Sequence, residues 1–170
     1  MTFGQSVRTC FRNYATFRGR ARRSEYWWFA LFLALTSSAA SAIDEGLGFG
    51  GADGAGGPVS GLWGLATFLP ALAVGWRRLH DTGRPGWLLL VPTIVALAAL
   101  AWAARSLGLF SAGIGSPEEM MDRLAAFGPA RMALVGAATF IPAVALIVML
   151  CQPGERGANR YGPEPEATPA

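Results

Sequence analysis

Hydrophobic positions in this chain are gathered into four long stretches that contain no charged side chain. Each stretch is about 18 to 23 residues long, and a helix that rises about 1.5 Å per residue needs roughly 20 apolar residues to cross the ~30 Å hydrocarbon core of a bilayer. The pattern therefore predicts four transmembrane helices. The uncharged stretches are Tyr26–Ile43, Gly54–Trp76, Pro85–Ala104 and Met132–Gly154.

The predicted fold class is all-α: a polytopic membrane protein with four transmembrane helices in one domain over residues 1–162. We expect the spans at about 26–43, 60–78, 86–104 and 132–151, and a disordered tail over 163–170. A soluble helical core is the alternative, but four such runs leave no polar face for water. Composition agrees with the membrane interpretation, because only 15% of the residues are charged against about a quarter in soluble domains.

The residues before the first span predict an amphipathic helix at the membrane interface. Over Thr2–Phe17 the apolar side chains recur every three or four residues, and Arg8 and Arg12 lie elsewhere on the helix surface. A basic amphipathic helix lies in the headgroup plane with its arginines near anionic lipid. Packing against the ends of the spans is a compatible alternative. Gly19 is expected to break this helix from the first span.

Three prolines fall within predicted spans: Pro70, Pro92 and Pro142. Proline removes a backbone hydrogen bond and usually kinks a bilayer helix. We expect kinks that serve packing rather than gating. Between the third and fourth spans, Ser116 is followed by Pro117 and Glu119, which is typical of a capped helix start.

The distribution of arginine predicts the orientation in the membrane. Every basic residue is an arginine, and alternate sides of the four spans carry eleven and three of the 14. Because basic residues accumulate on the cytoplasmic side, both termini are predicted to be cytoplasmic. A rival topology remains open, since Ala40-Ser41-Ala42 resembles a signal-peptidase site and its cleavage would leave three spans.

Few side chains suited to catalysis or transport are available. The spans contain no Asp, Glu, Lys, Arg or His, which argues against a proton relay or ion-coupled transport. His80 is the single histidine, and Cys10 and Cys151 are far apart in sequence, so neither a metal site nor any other cofactor is expected. Both cysteines are predicted to be reduced on the cytoplasmic side. No nucleic-acid partner is expected.

The remaining polar side chains form three short motifs on the predicted cytoplasmic side: FRGRARRSEYWW (17–28), WRRLHDTGRPGW (76–87) and NRYG (159–162). In this order they resemble the bacterial inner-membrane family grouped as domain of unknown function 805, and the resemblance covers nearly the whole chain. It implies a short four-span protein of the bacterial inner (plasma) membrane. The family brings no established activity. Arg84-Pro85 departs from the small polar residue expected before the glycine of the second motif.

We expect these motifs to meet in one polar cluster, with Glu25 near the start of the first span pairing with Arg78 or Arg84. The cluster either locks the helix ends together or binds an anion, most simply a lipid phosphate. A protein partner, a homo-oligomer, a small channel or transporter subunit, and a membrane-surface enzyme using His80 are further alternatives. A non-enzymatic protein is favoured. The predicted cluster residues are Arg20, Arg23, Glu25, Arg78, His80, Asp81, Arg84, Asn159, Arg160 and Tyr161.

Overall fold

The computed structural model describes residues 1–49, 56–109 and 116–165 and confirms the all-α fold class within these ranges. Apart from one isolated bridge between Asn159 and Gly162, no β-structure occurs in the described chain. The helices are α1 (Phe3–Arg12), α2 (Arg23–Gly46), α3 (Pro58–Asp81), a 3₁₀ turn (Gly86–Leu90), α4 (Val91–Ser106) and α5 (Pro117–Cys151).

Four of these helical segments are long and apolar enough to cross a membrane: α2, α3, α5, and α4 with its preceding turn. α2 and α3 have 24 residues each, which corresponds to about 36 Å. Large apolar side chains such as Leu35, Leu65 and Phe140 are exposed along them, as expected for helices whose solvent is lipid. The prediction of a polytopic membrane protein with four spans is thus confirmed.

The described chain divides into two compact units. The first unit comprises Met1–Gly86 with the chain from Leu150 onward, and the second comprises Trp87–Met149. The candidate site lies wholly in the first unit. Of the predicted disordered tail, residues 166–170 lie outside the described ranges.

α2 and α3 pack antiparallel in the first unit, because the end of each lies beside the start of the other. Asp44, near the end of α2, accepts hydrogen bonds from the backbone N–H groups of Val59 (3.0 Å) and Ser60 (2.8 Å). The N-cap residue Gly57 has no side chain to do this, and a Cβ at Gly57 would collide with the Asp44 carboxylate. Asp44 therefore caps the neighbouring helix.

α1 is shorter than predicted. It begins with a capping box in which Thr2 and Gln5 exchange hydrogen bonds, but it ends at Arg12 rather than near Phe17. The Asn13 side chain donates to the Thr9 carbonyl at 3.0 Å, and this local bond competes with continuation of the helix.

The apolar face of α1 packs on α2 through aromatic rings. Ring centroids are 5.8 Å apart for Phe3 and Trp28, and 5.7 Å apart for Phe11 and Phe29. Cys10 lies fully buried beneath this face. The predicted amphipathic helix is therefore a packed element of the first unit.

The second unit contains α4 and most of α5. Ser116 Oγ accepts the Glu119 N–H at 3.3 Å, so the predicted cap is present. Gly128, with φ at 76°, interrupts α5. The expectation of a kink at Pro92 is wrong, because Pro92 lies in the first turn of α4, where a helix needs no N–H donor.

Candidate functional site

The segment that enters α2 crosses the end of α3. Gly19 has a positive φ of 85°, a conformation that glycine adopts without steric cost. Past this turn the Ala21 N–H donates to the Arg77 carbonyl at 3.0 Å, and the Gly19 carbonyl faces His80 Nδ1 at 3.1 Å. Two backbone contacts thereby hold the first polar motif against the second.

One carboxylate, that of Asp81, connects the two motifs through charged groups. Its Oδ1 accepts from Arg20 Nε at 2.9 Å and its Oδ2 from Arg78 Nη1 at 2.5 Å. All three side chains are at least nine-tenths buried. Gly154 lies so close that a Cβ there would collide with the carboxylate. Because charged hydrogen bonds are strong in buried surroundings, Asp81 is the centre of the cluster.

The same two guanidinium groups hold the tail that follows α5. Arg78 Nε donates to the carbonyl of Leu150 at 3.0 Å, and Arg20 Nη1 donates to that of Gly157 at 2.5 Å. The last carbonyls of a helix have no partner within it, and Arg78 supplies a donor for the carbonyl of Leu150. Two further tail carbonyls accept from these arginines: those of Gln152 and Glu155.

Glu25 forms a second buried ion pair, but its partner is not the predicted one. Its Oε1 accepts from Arg77 Nη1 at 2.8 Å, whereas Arg78 and Arg84 bond elsewhere. Consecutive residues on a helix point about 100° apart, which accounts for the error. Cys10 Sγ lies 3.9 Å from the same oxygen. Burial and the Glu25 carboxylate raise the pKa of the Cys10 thiol to about 12.

The tail motif packs on the turn after α3. The rings of His80 and Tyr161 stack with centroids 3.8 Å apart and planes 3° apart. Asn159 Nδ2 donates to the His80 carbonyl at 3.0 Å. Arg160 lies over the Tyr161 ring and donates to the Gly83 carbonyl at 2.9 Å. His80 is thus enclosed by the backbone and by the tail.

A cleft of about 430 Å³ opens among these groups. Its acidic lining comprises Asp81, which binds the two arginines described above, and two glutamates that accept from neutral groups at 2.8 Å: Glu155 from the Asn159 amide and Glu164 from the Gly157 N–H. The basic lining consists of Arg20, Arg22, Arg23 and Arg78, so its four arginines outnumber the three carboxylates.

Arg22 and Arg23 differ from the two buried arginines in having no carboxylate partner among the hydrogen bonds and ion pairs of the described chain. Arg22 donates to the carbonyl of Pro165, and Arg23 donates to that of Cys151 at 3.2 Å. A neutral carbonyl does not cancel a guanidinium charge, so both arginines present positive charge to the cleft. Both lie at the start of α2, whose N-cap residue Arg22 makes no side-chain capping bond.

The structure brings all ten predicted residues to this end of the first unit. Arg84 joins them through Gln152, whose Oε1 accepts from its Nη1 at 2.6 Å. Arg22 and Arg77 were not among the predicted cluster residues, although both lie in the polar motifs beside residues that were. The tail carbonyls could not have been predicted, because any residue type can supply a backbone acceptor.

The chain was compared with known families and proteins. A family profile described as Protein of unknown function (DUF805) matches residues 14–163. Inner membrane protein YhaH of Escherichia coli K12 is 32% identical over 158 residues, which cover 93% of each chain. Inner membrane protein YhaI of the same strain is 34% identical over 155 residues, 91% of this chain and 90% of the relative. No solved structure matches significantly.

Proposed function

This chain belongs to the DUF805 family, and from that premise we propose that its arginine-lined cleft binds the phosphate of an anionic phospholipid in the inner membrane. The relatives are inner membrane proteins, so lipid headgroups are available to such a site at high local concentration. The observation that carries the proposal is the pair Arg22 and Arg23, which lines the cleft without a carboxylate partner among the described residues.

The proposal places both termini in the cytoplasm. Eleven of the 14 arginines lie on the side of the spans that carries the termini, as the positive-inside tendency requires. The cleft then faces the inner leaflet, where anionic lipids attract basic groups by ~1 kcal/mol for each arginine near the surface.

The start of α2 suits a phosphate group in two ways. Arginine forms paired, charge-assisted hydrogen bonds with phosphate oxygens, and the free N–H groups of a helix N-terminus favour an anion. The aromatic residues Tyr26, Trp27 and Trp28 follow within two turns, and such residues mark the headgroup level of a membrane helix. The cleft would therefore lie at the depth of lipid phosphates.

We propose a binding role and no catalytic one. His80 is the single histidine, and its ring packs between the tail and the Gly19 carbonyl. That environment suits a structural contact better than proton transfer to a substrate. The site as proposed needs no cofactor.

Mass spectrometry of lipids that co-purify with the protein in mild detergent tests the proposal. The variant Arg22→Gln/Arg23→Gln should retain anionic phospholipid at a several-fold lower ratio to protein. The matched control Arg8→Gln/Arg12→Gln removes two exposed arginines from α1 and should keep most of the bound lipid. Unchanged lipid in the first variant would refute the proposal, and equal loss in both would assign the lipid to general surface charge.

A further inference from the structure

The proline inside α3 leaves one backbone carbonyl without its usual partner. In an α-helix the N–H of residue 70 would donate to the carbonyl of residue 66, but Pro70 has no N–H. Pro70 is fully buried. The carbonyl of Ala66 therefore requires a donor from another part of the chain.

Tyr14, just beyond the end of α1, is that donor. Its hydroxyl donates to the Ala66 carbonyl, across 52 residues of sequence. Ala66 lies 11 residues before Arg77 in α3, roughly 16 Å along the helix, which places it well inside the apolar part of the span. An unpaired carbonyl is costly at such a depth, because lipid supplies no donor.

We propose that the Tyr14 hydroxyl replaces the N–H that Pro70 lacks, so that docking of α1 depends on the gap that Pro70 leaves among the backbone hydrogen bonds of α3. α1 can leave α2 and α3 only by unpairing the Ala66 carbonyl. The amphipathic helix acts as a latch on the third helix of the chain, independently of what the arginine cleft binds.

Cys10 provides a built-in reporter of this latch. Its thiol is fully buried between α1 and α2, so labelling by a maleimide requires α1 to undock. The substitution Cys151→Ser removes the other cysteine of the chain. In that background the labelling rate of Cys10 measures the undocked fraction of α1.

The test is a double-mutant cycle on this rate. Tyr14→Phe should raise the labelling rate about tenfold, as expected when a carbonyl at membrane depth loses its partner. Pro70→Ala restores an N–H for Ala66, so the same Tyr14→Phe change in that background should alter the rate by less than about twofold. Tyr161→Phe removes the same hydroxyl group elsewhere and should leave the rate unchanged.

Three other results would contradict the latch. An equal effect of Tyr14→Phe in both backgrounds would show that the hydroxyl stabilises docking of α1 independently of Pro70. No effect in the native background would show that the bond does not hold α1. Fast labelling of Pro70→Ala alone would show that the backbone shape of α3 around Pro70, and not the hydroxyl, docks the helix.

Discussion

The two ends of the α2–α3 pair are held together by different kinds of interaction. At the end beside the α2–α3 connection, the single carboxylate of Asp44 caps two N–H groups of α3. At the opposite end, Asp81 binds two buried arginines that also hold the tail. The first arrangement satisfies backbone groups alone. The second combines buried charges from two distant segments with backbone carbonyls of the tail, and removing one charged member leaves the others uncompensated.

The largest effect is therefore expected at the arginine-rich end. Asp81→Asn should destabilise the protein by about 3 kcal/mol or more, because breaking a buried ion pair leaves a charge unpaired, here two guanidinium groups. Thermal unfolding in detergent, followed by circular dichroism, measures the loss. A midpoint close to that of the native protein would show that the tail carbonyls alone satisfy both arginines.

Substitution of Asp44 should lower the unfolding midpoint less than Asp81→Asn does. Asp44→Ala removes two hydrogen bonds to the backbone of α3 but leaves no buried counter-charge, so we expect a drop of only a few degrees in the unfolding midpoint. Hydrogen exchange should accelerate at the N–H groups of Val59 and Ser60. A drop in the unfolding midpoint as large as that of Asp81→Asn would contradict the proposed difference between the two ends.

The stacked Tyr161 ring should contribute less to the free energy of unfolding than the ion pairs do. Tyr161→Leu should lower that free energy by about 1 kcal/mol, within the range of an aromatic pair. Tyr161→Phe keeps the ring and should change it very little. Limited proteolysis of the tail after residue 151 reports this change locally. Equal protease resistance in all three proteins would show that the polar bonds of Asn159 and Arg160 hold the tail without the ring.

The smallest effect concerns the Cys10 thiol beside the Glu25–Arg77 pair. Its pKa is raised to about 12, against about 8.5 for an ordinary thiol. The protonated thiol is thus favoured in the folded state, and its contribution to stability is complete below about pH 8.5 and is lost progressively as the pH rises from there toward 12. In Cys151→Ser protein, the ultraviolet absorbance of the Cys10 thiolate, which reports the docked thiol rather than the undocked one that maleimide labels, should stay nearly flat between about pH 7 and pH 9. A rise that follows an ordinary thiol titration would contradict this environment.

Much of the fold could be predicted because it depends on local properties. The lack of charge in each apolar stretch and the cap at Ser116 are visible in short windows of sequence. The end of α1 was misjudged because the local bond from Asn13 to Thr9 outweighed an apolar periodicity that continues to Phe17. Pro92 was misjudged because the turn before α4 shifts the helix start.

Length, periodicity and residue type are enough to predict three features: the number of spans, the amphipathic first helix and the ten polar residues that meet at one end of the first unit. The partners of these residues are a different matter, because they depend on how the helices pack. Arg77 rather than Arg78 faces Glu25 because one residue rotates a side chain by about 100° around a helix. Tyr14 reaches Ala66 because packing brings together groups 52 residues apart. Such pairings depend on how helices pack in three dimensions, which no local window of sequence contains.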